Sequence, residues 1–235
     1  MVEGIQARDF VPESRFGFWF LGTQTWALHV LKIAIADLQT LIGPMGVPSR
    51  PVILDAGCGQ GKSFGLLQEA FDPRLIVAID VEDRNIERST REIAAVKVPV
   101  HLKRCSCAAI DFEDASVDIV FCHQTFHHLV DQERALSEFF RVLKPGGLLL
   151  FAESTRAYIH SWIIRLLFRH PMEVQRSADE YLDMLRRHGF QFDRANVSLP
   201  YLWWSRWDLG AVEFFGFGVP KDREETLVNV AARKP

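Results

Sequence analysis

The segment Asp55-Ala56-Gly57-Cys58-Gly59-Gln60-Gly61-Lys62-Ser63 sets an acid and three alternating glycines directly behind the apolar run Val52-Ile53-Leu54. Those residue types in that order suit a ligand cradle. Glycines at the carboxyl end of a buried parallel strand let the backbone turn tightly and approach a bound group with no Cβ in between. A helix beginning near Gly61 aims its unpaired N–H groups at the same place. The loop is not a Walker A loop, because Ala56 stands where the first glycine of Gly-x-x-x-x-Gly-Lys-Ser/Thr belongs, and Asp55 would face a triphosphate unfavourably. It is not a Gly-x-Gly-x-x-Gly dinucleotide fingerprint either, since its glycines fall at 57, 59 and 61. A second apolar run, Leu75-Ile76-Val77-Ala78-Ile79, also ends in an acid, Asp80. It follows the loop by about 20 residues, the spacing at which a carboxylate takes ribose hydroxyls.

A third apolar run, Val117 to Cys122, leads into His123-Gln124-Thr125-Phe126-His127-His128. Imidazole changes charge near neutral pH, so a histidine at a strand end is a candidate general base; ring packing or helix capping is the competing use. His123 to His127 mimics the His-Glu-x-x-His helix of zinc hydrolases, but Gln124 replaces the glutamate that such chemistry requires. A metal set of His123, His127 and a nearby thiol is the weaker reading of these residues, and no metal is expected.

Taken together, the Asp-x-Gly-x-Gly-x-Gly loop, Asp80, the strand Val117 to His123 and the run Arg141-Val142-Leu143-Lys144-Pro145-Gly146-Gly147-Leu148 resemble the class I S-adenosylmethionine-dependent methyltransferases. Their order and approximate spacing match over residues 50 to 155. In pattern the chain is most similar to the small-molecule enzymes typified by ubiquinone/menaquinone C-methyltransferases. The resemblance implies S-adenosylmethionine as cofactor, held by Asp55, Gly57, Cys58, Gly59, Gly61, Asp80, Val81, Ser106, Cys107 and His123. It implies methyl transfer to a small hydrophobic or aromatic acceptor, with His127 or His128 as base where a proton must leave. One departure is Ser106, which stands where the family usually carries an adenine-contacting acid; a hydroxyl accepts from the adenine amine more weakly than a carboxylate does. A cofactor-binding partner or scaffold protein without turnover is the alternative, and a P-loop-like nucleotide binder a more distant one.

These residues need a frame that brings strand ends together. The alternation of strand and helix from Val52 to Ala152 predicts a parallel sheet with helices on both faces, with ligands at the carboxyl strand ends. The expected fold is α/β: a Rossmann-like three-layer sandwich with a seven-stranded, mostly parallel sheet, its last strand antiparallel, plus helical lid segments. Strands are expected at 51–56, 75–80, 98–105, 117–123 and 147–153, with two more at 190–199 and 226–233. Helices are expected near 62–71, 83–96, 131–143 and 177–188. A single domain, 1–235, is expected, with a helical lid at 1–50, a cofactor-binding core at 51–153 and substrate-covering insertions at 154–176 and 200–225. Aromatic residues concentrate in those flanks, and Trp19, Trp26, Trp203, Trp204 and Trp207 are the expected substrate-binding set. The segment Ser161 to His170 is amphipathic and carries Arg165, Arg169 and His170; binding an acidic substrate group or resting on a membrane surface are its functional readings, and a solvated helix face is its default use.

The net charge of −3 argues against a nucleic-acid partner and leaves a small molecule as the expected one. Four cysteines on or beside core strands read as reduced thiols of a cytoplasmic protein. Met1 to Gly4 lacks the basic start of a signal peptide. The stretch Ala27 to Ile42 is interrupted by His29, Lys32 and Asp37 and is expected to be too short and polar for stable membrane insertion, while its apolar period of three and four predicts an amphipathic helix.

Overall fold

Strands that are apolar on both faces must be covered on both faces, and the computed structural model, which describes residues 11–205, 208–209, 211–216 and 223–235, shows how. A seven-stranded sheet runs in the order β3-β2-β1-β4-β5-β7-β6. Its strands are β1 Val52–Ala56, β2 Leu75–Asp80, β3 Val100–Arg104, β4 Val117–His123, β5 Leu143–Ser154, β6 Val197–Ser198 and β7 Leu227–Arg233. Strands β1 to β5 are mutually parallel, and β7 lies antiparallel between β5 and β6. On one face, Phe126, Phe139 and Phe151 pack with Tyr181 and Leu185 of the helix Ala178–Arg187. On the other, Ile53 and Phe121 pack with Phe64 and Leu67 of the helix Ser63–Phe71 and with Leu31, Ile35 and Leu38 from the N-terminal helix. The sandwich with an antiparallel last strand is therefore the observed architecture.

Boundaries differ where local chemistry competes with pairing. The strand expected at 190–199 shrinks to Val197–Ser198 and an isolated bridge between Gln191 and Arg233. Asp193 and Asn196 explain this: they form a capping box around a 3-10 turn, which gives the backbone local partners in place of a ladder. Strand β5 starts at Leu143 rather than 147, with a register shift against β4 between Val117 and Ile119. The segment expected to be amphipathic over 161–170 is helical only over Trp162–Leu167.

The N-terminal segment is also longer than expected. It forms a short helix, Arg15–Leu21, capped by the Ser14 hydroxyl, and then a continuous helix Gln24–Met45 of 22 residues with mean hydropathy 1.2, which includes a π-turn at Ala27–Leu31. By length and composition that helix is long and apolar enough to cross a membrane, contrary to the expectation for residues 27–42. In this fold its apolar stripe covers the sheet, and the Asn229 amide on β7 donates to Asp37 at 2.7 Å.

Candidate functional site

The order β2-β1-β4 makes the carboxyl ends of β1 and β4 the point where successive crossovers leave in opposite directions, which is where ligands bind in open α/β sheets. The loop after β1 is built for close approach there. Gly57 and Cys58 both donate their N–H to the Ile79 carbonyl, each at 2.9 Å. Gly57 has φ +77, and a Cβ on it would lie 2.1 Å from the Thr125 methyl. Thr125 in turn donates its hydroxyl to the Gly57 carbonyl at 3.0 Å, joining the β1 loop to the β4 loop. Gly59, at φ +53, is different: nothing lies within 4 Å of where its Cβ would be, so its backbone faces open space. Gly61 serves packing, because a Cβ there would meet Phe64 and Ser89 at 2.8 Å.

Asp80 organises the neighbouring strand end. Its carboxylate accepts from Gly59 N and Glu82 N, both at 2.9 Å, and from the Asn85 side chain at 3.1 Å. Burial pushes its carboxyl up to about 6 despite those three donors. Asp55 is fully enclosed and accepts the Ser63 hydroxyl; burial pushes it up to about 7, with Asp80 adding repulsion.

A cleft open to solvent lies over these groups. Asp55, Cys58, Gly59, Gln60, Lys62 and Ser63 line its floor, Glu82, Arg84 and Asn85 one side, Phe121, His123 and Gln124 the other, and Glu13, Phe18, Leu21, Trp26 and Leu31 its roof. The roof is tied down: Gln60 Nε2 donates to the Phe18 carbonyl at 2.6 Å, Arg84 donates to the Glu13 carbonyl at 3.3 Å, and the Arg84 guanidinium sits 4.2 Å from the Phe18 ring centre. His123 meets Trp26 edge-on, with ring centres 5.5 Å apart. Its Nδ1 is buried with no hydrogen-bond partner, and burial lowers its pKa to about 4, so the ring is neutral.

Beyond His123 the chain turns through Phe126–His128. His127 Nδ1 lies 2.6 Å from Glu153 Oε2, and Glu153 Oε1 accepts the amides of Thr125 and Phe126, each at 2.8 Å, and the Cys122 thiol at 3.5 Å. Glu153 ends the apolar run Leu148 to Ala152 as Asp55 and Asp80 end theirs; that shared signal marks it, although it was not among the expected site residues. His128 and His170 complete a cluster of three mutually tilted imidazoles. Desolvation lowers the pKa of both, that of His170 to about 3.

Of the residues expected to hold a cofactor, Asp55, Cys58, Gly59 and His123 line the cleft, and Gly57, Gly61 and Asp80 shape its wall from behind. Val81 follows Asp80 outside the lining, its carbonyl accepting Arg104 Nε at 3.1 Å. Ser106 and Cys107 lie beyond β3 outside the lining, with the Ser106 hydroxyl accepting the Ala108 amide at 3.2 Å. The tryptophans are not brought together. Trp26 lines the cleft, Trp19 and Trp203 are exposed at 63% and 52%, Trp204 packs on Tyr158, and Trp207 lies outside the described residues. Glu13, Phe18, Gln60, Arg84 and Asn85 join the site only through the fold. All four cysteines are free and buried.

Residues 54–151 match the methyltransferase domain family. Two curated relatives are an O-methyltransferase of Penicillium expansum, 29% identical over 59% of this chain, and an S-adenosyl-L-methionine-dependent Diels-Alderase of Talaromyces variabilis, 31% identical over 63%. The chain spans about half of each relative, 51% in both cases. Among solved structures, a SAM-dependent methyltransferase from Aquifex aeolicus shares the fold with a TM-score of 0.64 at 18% identity, covering 93% of this chain and 97% of that one. The methyltransferase-domain match over residues 54–151 points to S-adenosylmethionine as the cofactor. The cleft fits it: a glycine backbone open to approach, polar groups at the end of β2 for ribose hydroxyls, buried carboxyls for a cation, and an unsatisfied ring nitrogen at its edge.

Proposed function

We propose that the chain is an S-adenosylmethionine-dependent methyltransferase acting on a small, hydrophobic or aromatic acceptor. The observation that carries the reading is the Gly59 to Asp80 arrangement, in which a loop amide and a strand-end carboxylate are locked together beside space that no side chain fills. The cofactor supplies an electrophilic methyl group on a sulfonium with a good leaving group. The protein's work is then orientation and the exclusion of water. Asp80, Glu82 and Asn85 are assigned to the ribose end. Asp55, whose carboxyl burial pushes up to about 7, is assigned to the cationic side, where a bound sulfonium would favour its ionised form, and the Phe18, Leu21 and Trp26 roof excludes water. Where the acceptor carries a proton, His123 is the imidazole that lines the cleft, whereas the expected bases His127 and His128 lie outside its lining, with Glu153 holding the His127 ring.

The resemblance of the sequence pattern to quinone C-methyltransferases and the Phe18, Leu21 and Trp26 roof favour a ring-bearing acceptor, and the same support extends no further than that class. Free, buried thiols agree with a reducing, cytoplasmic setting. Isothermal calorimetry with S-adenosylmethionine and its demethylated product tests the assignment. Binding of both at micromolar to submillimolar concentration is expected. Absence of either at millimolar concentration, or preference for magnesium ATP, would overturn it. A panel of phenols, quinols, thiols and amines then tests turnover, and tight cofactor binding without any methylated product would favour the scaffold reading.

A further inference from the structure

Close behind the roof of the cleft, the structure assembles a cluster that the methyl-transfer reading does not require. His127, His128 and His170 each present a ring nitrogen, and those atoms all lie within 4.8 Å of one another. Ring centres are 4.4 Å apart for His127 and His128, 4.7 Å for His128 and His170, and 5.1 Å for His127 and His170. We propose that these three histidines bind a divalent first-row transition metal of the zinc type, with Glu13 as the fourth ligand.

The surroundings distinguish this cluster from rings that merely stack. Metal-ligating histidines commonly give their other ring nitrogen to a carboxylate, which fixes tautomer and orientation. His127 does so, through Nδ1 to Glu153, and Glu153 is itself pinned by two backbone amides. That leaves His127 Nε2 for the ion. Glu13 is arranged similarly: Oε1 accepts Ser14 N at 2.6 Å and Arg169 N at 3.0 Å, while Oε2 lies 3.9 Å from His128 Nε2. A tetrahedral zinc with Zn–N of 2.0–2.1 Å keeps its donors about 3.4 Å apart, so ring rotations on the order of 1 Å close the set. Three imidazoles and one carboxylate suit zinc, cobalt, nickel or iron, whereas magnesium and calcium take oxygen ligands.

The ligands come from three segments: the roof at Glu13, the turn after β4, and the insertion at His170. An ion there would clip the roof and the insertion onto the core, beside the cleft that Glu13 also lines. It would also commit His127 Nε2, so in the metal-loaded protein that ring is not a free base. The inference does not depend on the cofactor assignment.

The 235-residue chain, stripped with a chelator and dialysed, is titrated with cobalt(II) while d–d absorbance between about 500 and 650 nm is followed. One equivalent of tetrahedral cobalt, displaced by zinc, is expected. His170→Ala and His128→Ala should lose the band, Glu153→Gln should weaken binding about 10–100-fold, and His101→Ala, on exposed β3, should change nothing. A wild-type protein with no saturable band at micromolar cobalt, or a His170→Ala protein that keeps it, overturns the site. Zinc-dependent thermal stabilisation of the wild type, reversed by chelator, is a second expected readout independent of variant folding. None of these measurements involves methyl transfer, so failure here and failure of the proposed activity are separate outcomes.

Discussion

Asp55 and Asp80 show what burial does to a single acid. In the unfolded chain both titrate near the ordinary value of about 3.9; in the fold desolvation raises them to about 7 and about 6. Between those values the unfolded chain has released protons that the folded chain still holds, so stability falls as pH rises from about 4 to 7 and is level above that window. Asp55→Asn should flatten this dependence and raise stability at pH 8 by roughly 2–4 kcal/mol; melting curves between pH 4.5 and 8 check it, and an unaltered slope would remove Asp55 from the cause. Asp80→Asn keeps the shape but removes the charge assigned to the ribose end in the proposed function. It should weaken the cofactor by about 1.5–3 kcal/mol, the scale of hydrogen bonds to a charged group, as read by calorimetry. Glu153→Ala is expected to be harsher on folding, because it strands the buried amides of Thr125 and Phe126 at about 1–3 kcal/mol each; chemical denaturation measures this directly.

The elements matter by where they end. The β1 loop and the β4 loop meet at Gly57 and Thr125, and both the positive φ and the 2.1 Å approach forbid a side chain at Gly57. Gly57→Ala should cost about 1–3 kcal/mol from backbone strain, more from the clash with Thr125, and abolish cofactor binding, whereas Gly59→Ala, at φ +53, carries the strain without the clash and should stay folded and lose affinity, since its Cβ enters the cleft rather than the core. Comparing melting temperature with binding in the two variants separates the roles; equal losses of stability would contradict the geometry. The roof is held by single contacts, the bond from Gln60 to Phe18 being one. Gln60→Ala should therefore speed cofactor release several-fold with little change in folding stability, a difference that stopped-flow displacement resolves.

At the scale of the whole molecule, one sheet with a cover on each face leaves a ligand site at one edge of the strands, and the ligand should act on the entire fold. With S-adenosylmethionine at 100 times its dissociation constant, linkage adds about 2.7 kcal/mol, which for a chain of this size corresponds to roughly 5–10 °C in Tm. Thermal shift assays check this, and an unmoved Tm at saturating ligand would show that the cleft is not where the cofactor binds. The long N-terminal helix belongs to the same unit, because its stripe of Leu31, Ile35 and Leu38 closes one face of the sheet.

The parallel strands, the glycine loop and the acids that end β1 and β2 were legible in the residues alone, because continuous apolar runs broken by glycine and acid admit few other structures. Local period and spacing carry that information, and the parallel core was therefore read nearly to its boundaries. What the order of residues does not encode is which distant segments share a place. Glu13 and His170 are 157 positions apart by number, yet the fold sets Glu13 against the Arg169 amide and His170 against His127 and His128. Likewise the tryptophans looked like one pocket because they are alike, whereas the fold puts only Trp26 in the cleft and leaves Trp19 and Trp203 in solvent. Side-chain type and local period are properties of a stretch of chain; proximity across β4, the roof and the insertion is set by how the two apolar faces of the sheet are covered, and only the tertiary structure decides that.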